Sequence, residues 1–323
     1  MTKPDATTGS GVAREIQLTV PADDGLALAG TLTLPAGVGP HPAVLCVPGS
    51  GKIDRDSNAA RVRMDLGRPL ATALARLGIA SLRYDRRGVG ATPGHWHTVG
   101  FMDNRADAAA ALRALRGHPE IHSRAVGVLG HSEGAVHAMW LGAHAQPTAV
   151  VLLAGYARPG EQAVRWQGAQ LADTLPRPIR PLLPILRRVA TRQLTRLGAT
   201  TTDTARIGGM RINARWWREQ LAYDPRPDLA RIPVPVLAIT GDKDVQVDPK
   251  DLDVIAHLVP GGAETHRIPG LTHVLRRTDG PASVFSYRRL LRDPVDNDLL
   301  THVARWLSDR LGDATPTNRR QPR

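Results

Sequence analysis

The sequence predicts an α/β protein: a mostly parallel central sheet, helices on both faces, and one helical insertion. Three observations predict it. Short apolar runs at residues 43–47, 79–84, 148–154 and 234–240 have the character of strands buried on both faces. Segments with helical spacing of apolar residues alternate with them, which calls for a parallel sheet with crossover helices. The alternation stops once, at residues 156–226, where there is no strand signal and leucines recur at helical spacing.

In chain order, residues 15–20 and 26–34 alternate polar and apolar and read as two antiparallel strands around a turn at 21–25. The strand at 43–47 ends in Pro48-Gly49-Ser50-Gly51 and a polar loop. A helix over 70–77 stops at Gly78, and the strand at 79–84 ends in Asp85-Arg86-Arg87-Gly88-Val89-Gly90. A helix over 104–115 precedes the strand that ends at Gly130, and a helix-like run over 135–144 follows it. In the insertion, Leu182, Leu183, Leu186, Val189, Leu194 and Leu197 form one stripe, and Trp216, Trp217 and Leu221 a second. A strand at 234–240, a helix at 249–258, a short strand at 265–268 and an amphipathic helix at 299–311 complete the pattern. The expected organisation is a core of residues 1–155 and 227–323, with polar tails at 1–14 and 313–323, and a helical cap at 156–226.

With 42% hydrophobic residues over 323 positions the chain can bury a large core. It has no apolar run long enough to span a bilayer, and residues 1–14 lack the apolar stretch of a secretory signal. The single cysteine, Cys46, lies in an apolar strand and has no intramolecular partner, so cytoplasmic placement is the expectation. The net charge of +12 is uneven: residues 156–226 carry thirteen arginines against five acidic residues. A solvated arginine-rich face is the plainer reading, and contact with an anionic membrane surface is the functional one. Aromatics interleaved with the basic residues are sparse, so nucleic acid is not an expected partner.

The chemistry concentrates at Gly130-His131-Ser132-Glu133-Gly134. Gly-x-Ser-x-Gly between a strand and a helix is the context of a nucleophile elbow. A serine at the tip of so sharp a turn is held in a strained backbone conformation, with small residues required two positions to either side. The helix that follows offers free N–H groups and its positive dipole end to an oxyanion.

Serine alone is a poor nucleophile and needs a base and an orienting acid, here expected at later strand ends in the order Ser, acid, His. The strand at 234–240 ends in Gly241-Asp242-Lys243-Asp244, and the next strand leads to Gly270-Leu271-Thr272-His273. Asp242 follows Gly241 directly and suits a turn. Asp244 reaches further into the loop and is favoured as the acid. His266 precedes its strand end and His131 is expected to point away from the nucleophile's partner, which leaves His273. The oxyanion donors expected are the N–H of Glu133 and one from the 48–51 loop, with Ser50 the candidate. His95 and His97 lack a matching carboxylate or cysteine cluster, so no metal is expected. Gly88, Gly90 and Gly94 lack dinucleotide-loop spacing.

The motifs Pro48-Gly49-Ser50-Gly51, Asp54-Arg55-Asp56, 82–90, Gly130-His131-Ser132-Glu133-Gly134, 223–227 and 241–247 together resemble the α/β-hydrolase superfamily. The chain is more narrowly similar to bacterial serine esterases with a helical cap, near the serine aminopeptidase-like group. The resemblance spans roughly residues 15–311. It implies Ser132 as nucleophile, Asp244 as acid, His273 as base, Ser50 and Glu133 as oxyanion donors, and hydrolysis of short acyl esters without a cofactor. Pro48 stands where the family usually has histidine. Its fixed φ can stiffen the same loop, and the Asp54-Arg55-Asp56 stretch reads as a salt-bridged anchor for it.

The expected substrate is a small-molecule carboxylic ester, with Trp166, Leu171, Trp216 and Trp217 as candidate pocket lining. Plain packing of cap on core is an equal reading of the tryptophans. An acyltransferase, thioesterase or peptidase would use the same triad. A non-catalytic binding protein on this fold would more often have lost a triad member.

Overall fold

The computed structural model describes residues 13–312, apart from Arg61 and Pro176. The chain runs β1 (Arg14–Pro21), β2 (Ala27–Leu34), β3 (His41–Val47), a small ribbon of β4 (Asn58–Ala59) and β5 (Val62–Arg63), then α1 (Gly67–Ala75). It continues through β6 (Ala80–Tyr84), α2 (Phe101–Gly117), β7 (Ile121–His131), α3 (Glu133–His144) and β8 (Val150–Leu153). Between β8 and the next sheet strand lie α4 (Gly160–Asp173), α5 (Leu183–Gly198), β9 (Thr204–Ile207), β10 (Met210–Asn213), α6 (Ala214–Ala222) and α7 (Arg226–Leu229). β11 (Val236–Gly241), α8 (Asp251–Leu258), β12 (Ala263–Ile268), α9 (Tyr287–Leu290) and α10 (Asn297–Gly312) close the fold.

Eight strands form one sheet in the order β1-β2-β6-β3-β7-β8-β11-β12. β1 and β2 pair antiparallel, β2 joins β6 antiparallel, and every later pairing is parallel. The apolar runs are continuous because both faces are covered. Side chains alternate between faces along each strand, so Ala43 and Leu45, Val150 and Leu152, and Val236 and Ala238 share one core with α2, α3 and α8. Val44, Val151, Leu153, Leu237 and Ile239 face the other way, against α1 and α10. Each Val, Leu or Ile among them contributes roughly 1.5–3 kcal/mol by leaving water. α3 is buried on nearly all sides, which explains why its sequence is apolar or small almost throughout rather than amphipathic.

The insertion departs from expectation. It holds a β-hairpin, with Met210 opposite Ile207 and Asn213 opposite Thr204. Gly208 and Gly209 form its tip, with φ of 54° and 81°. Two adjacent glycines at positive φ are the signature of a tight hairpin turn. α4 was likewise not marked by the leucine stripes. The tails expected at 1–14 and 313–323 lie outside the described residues, except Ala13 and Arg14. Arg14 is not tail: it opens β1 opposite Leu34.

Side-chain bonds fix how the insertion sits on the sheet. Asn213 caps α6 by accepting the Trp216 N–H at 2.9 Å, and its amide donates to the carbonyls of Trp96 and Val99. Glu219 accepts the Met102 N–H at 2.8 Å, and Arg215 pairs with Asp103. Arg158 reaches Asp248 and Asp251, and Gln167 bonds Gln246. Among the described residues no helix is long and apolar enough to cross a membrane.

Candidate active site

The end of β7 and the start of α3 make the sharp turn that the glycine spacing requires. Ser132 has φ 56° and ψ −120°, a conformation that costs a non-glycine residue of order 1–3 kcal/mol. The flanking glycines permit it. A Cβ on Gly130 would lie 2.0 Å from the Gly134 carbonyl oxygen, and one on Gly134 would lie 2.2 Å from the Val47 carbonyl oxygen. No side chain fits either gap, so the turn brings Ser132 against the loop that follows β3. Gly49 is part of that contact: a Cβ there would be 3.5 Å from the Ser132 Cβ.

β11 and β12 deliver the remaining partners. Asp244, in the loop after β11, accepts the N–H groups of Gln246 and Val247 on Oδ1 at 2.7 and 2.9 Å. Its Oδ2 lies 2.8 Å from His273 Nδ1. The carboxylate can only accept, so Nδ1 carries the proton and Nε2 of the neutral ring is an acceptor. Ser132 Oγ sits 3.1 Å from that Nε2 and donates to it. Ser132, His273 and Asp244 are thus one hydrogen-bonded chain. Asp242 is outside it and serves the turn instead, accepting the Gly270 N–H at 2.7 Å.

His131 corrects an expectation. It does not point away from His273 but packs beneath it, with ring centroids 5.0 Å apart. Its Nε2–H donates to the His273 carbonyl at 3.0 Å. Burial, with His273 adding to it, pushes its pKa down to about 3, so the ring is neutral and works as a fixed donor.

Glu133 is the first residue of α3, so its backbone N–H has no acceptor within the helix. Ser50 is exposed in the 48–51 loop beside Gly49. The Glu133 side chain turns inward and is buried. Its carboxylate meets Arg86 Nη2 at 2.8 Å, His137 Nε2 at 3.0 Å, Asn104 Nδ2 at 3.1 Å and Trp216 Nε1 at 3.2 Å. Burial alone would raise its pKa; Arg86, His137 and Trp216 outweigh that and hold it at about 2. Arg86 also donates through Nη1 to the Gly49 carbonyl at 2.6 Å. One guanidinium therefore ties the loop after β3 to the first residue of α3.

The sequence reading passed over Arg86, Asn104 and His137. A signal existed for two of them: Arg86 lies at the C-terminal end of a parallel strand, and His137 is one helical turn from Glu133. The Asp54-Arg55-Asp56 stretch does anchor its loop, with Arg55 on Asp85 at 2.7 Å and Asp56 paired to Arg83 and Arg68.

The four candidate lining residues separate. Trp216 reaches the elbow through Glu133, and Trp217 packs edge-on against it with centroids 5.0 Å apart. Trp166 lies under the Arg158 guanidinium, 6.0 Å away. Leu171 lines a groove between α4 and α5 whose walls include no member of the Ser132 chain. Among the described residues His95 and His97 join no third ligand. Three candidate ligand groups converge instead at Glu264, His266 and His302. There Arg310 stands 3.5 Å from Glu264 and already supplies the opposing charge.

A parallel sheet of this order, a strained serine between strand and helix, and a histidine and carboxylate on later loops define an α/β-hydrolase. Residues 65–277 match the family model Hydrolase_4, described as serine aminopeptidase, S33, and the chain belongs to that family. It is 27% identical over 283 residues to esterase EstD of Thermotoga maritima, an alignment covering 87% of this chain and 65% of EstD. It is 32% identical over 149 residues to an uncharacterized protein of Mycobacterium tuberculosis, covering 46% and 48% of the two chains. The chain thus spans less than two thirds of the length of these curated relatives. Among solved structures, Est1E of Butyrivibrio proteoclasticus superposes with a TM-score of 0.60 at 16% identity, over 92% of this chain and 98% of that one. Pyrococcus furiosus esterase Pf2001 does so with a TM-score of 0.59 at 17% identity, over 97% and 99%. Both show the fold.

Proposed function

We propose that the protein is a serine hydrolase that cleaves carboxylic esters of short acyl chains through an acyl-enzyme. The observation that carries this reading is the unbroken chain from Ser132 Oγ through His273 to Asp244, at 3.1 and 2.8 Å. In this mechanism Ser132 Oγ attacks the ester carbonyl while His273 Nε2 takes its proton. The carbonyl oxygen becomes an oxyanion held by the N–H groups of Glu133 and Ser50. The intermediate collapses, His273 returns the proton to the departing alcohol, and water repeats the sequence to release the acid. Asp244 keeps Nδ1 protonated and stabilises the imidazolium. No step calls for a cofactor.

Residues 156–226 are then a cap over a core of residues 13–155 and 227–312. Trp216, with Trp217 packed on it, is the lining candidate that this reading favours, ahead of Trp166 and Leu171. The bond from Trp216 to Glu133 supports that arrangement. The name of the EstD relative supports an ester as substrate. The test is hydrolysis of a p-nitrophenyl ester series of increasing acyl length, with an anilide and a thioester of the best acyl group. Ester turnover that falls with chain length and vanishes in Ser132→Ala supports the proposal. Preferred cleavage of the anilide or thioester would move the assignment to a peptidase or thioesterase.

A further inference from the structure

The face of α5 turned away from the molecule is not built for water. Leu182, Ile185, Leu186 and Val189 are 52, 62, 44 and 46% exposed. Spaced three and four apart, they form one stripe down the helix. Arg188, Arg192 and Arg196 recur at the same helical spacing along the edge of that stripe and are exposed. Among the described residues none of these three arginines has a carboxylate partner, and α5 contains no acidic residue. An apolar stripe bordered by unpaired cations is the pattern of a helix that lies in a lipid–water interface. A second copy of this chain would fit it poorly, because α5 packed on α5 would set rows of arginine against each other.

We propose that α5 seats the protein on an anionic lipid surface, with Ile185 and Val189 entering the acyl boundary and the three arginines meeting lipid phosphates. Beside the stripe, α4 and α5 enclose an open groove of about 440 Å³, with Leu171, Leu183, Leu186 and Leu194 in its walls. Leu186 belongs to both, so the apolar stripe runs on into the groove. The docking itself does not rest on the esterase reading above.

The test is cosedimentation of the protein with vesicles of equal parts phosphatidylcholine and phosphatidylglycerol, and with phosphatidylcholine alone. Binding is expected on the anionic vesicles only. It should weaken as NaCl rises from about 0.1 M to about 1 M, which shortens the Debye length from about 10 Å to about 3 Å. The triple variant R188Q/R192Q/R196Q should bind about a hundredfold more weakly, at about fivefold per arginine. The double variant I185S/V189S should also lose binding. Both variants should hydrolyse a soluble short-chain ester like the wild type, which shows they are folded. No binding, equal binding to both vesicles, or variants that bind like the wild type would overturn the proposal. So would a stable dimer in solution that the same substitutions dissociate, which would assign the face to a second copy. If anionic vesicles are bound but no ester is cleaved, the docking stands and the esterase reading fails.

Discussion

Arg86 forms a buried ion pair 2.8 Å long with Glu133, the residue that follows Ser132 in the chain. The same guanidinium holds the carbonyl of Gly49 at 2.6 Å. The two segments expected to supply oxyanion N–H groups are therefore set relative to one another by a single side chain. This suggests how the loop is fixed although Pro48 stands where the family usually has histidine. Proline limits the loop's φ, and Arg86 fixes its carbonyl from behind.

Arg86→Lys and Glu133→Gln are expected to lower kcat on ester substrates by about 10- to 100-fold, with KM changing less than about threefold. An ammonium cannot hold both partners of the fork, and misplaced donors weaken transition-state binding rather than substrate binding. Affinity for an oxyanion-mimicking trifluoromethyl ketone should fall in parallel with kcat. Removing one partner of the buried pair should also destabilise the fold by roughly 3–5 kcal/mol in a denaturant titration.

Asp244→Asn and Asp242→Asn should separate clearly. The first leaves His273 Nδ1 facing an amide that can present N–H, favours the wrong tautomer, and should lower kcat by roughly 10⁴-fold. The second keeps an Oδ1 that still accepts the Gly270 N–H and should cost less than about tenfold, read in the same steady-state assay.

Gly130→Ala and Gly134→Ala should lose about 3 kcal/mol or more of stability, because the added methyl meets backbone rather than a movable side chain. Chemical denaturation of either variant beside the wild type measures this. The soluble yield of the two should fall together.

Acid should destabilise the protein in two windows. Burial holds His131 at about 3 against an ordinary 6.5, so the folded form excludes a proton that the unfolded chain accepts. That contribution is full above pH 6.5 and is lost as pH falls from 6.5 towards 3. Glu133, held at about 2 against an ordinary 4.5, contributes fully above pH 4.5 and is lost between 4.5 and 2. His131→Gln, whose amide can still donate to the His273 carbonyl, should reduce the slope in the upper window, where His137, His41 and His302, each pushed down by burial, also contribute, and keep that in the lower. Denaturant midpoints across pH 2–7.5 measure both.

What could be read in the sequence was what is local. Gly130, Ser132 and Gly134 announce their turn because all three fall within five residues, although the clash that requires Gly134 is with distant Val47. The sheet strands announce themselves because both their faces are buried. Asp242 and Asp244 could only be weighed against each other, since the difference lies in where the loop folds: one carboxylate caps Gly270, the other meets His273. Arg86 passed unnoticed because its partners, Gly49 and Glu133, are distant in sequence and meet only when β3, β6 and β7 are laid side by side. His131 is the last residue of β7, and strand alternation alone does not show that the loop carrying His273 folds back over its ring. The hairpin of β9 and β10 was hidden by the leucine stripes around it, although Gly208-Gly209 carried its turn signal.

The central claim is that Ser132 is a nucleophile activated by His273. Its most direct measurement is labelling with a fluorophosphonate, followed by peptide mass spectrometry. The account predicts one adduct per chain, on the peptide containing Ser132, absent in Ser132→Ala and strongly slowed in His273→Ala. An unlabelled wild type, or an adduct that persists in Ser132→Ala, would contradict it.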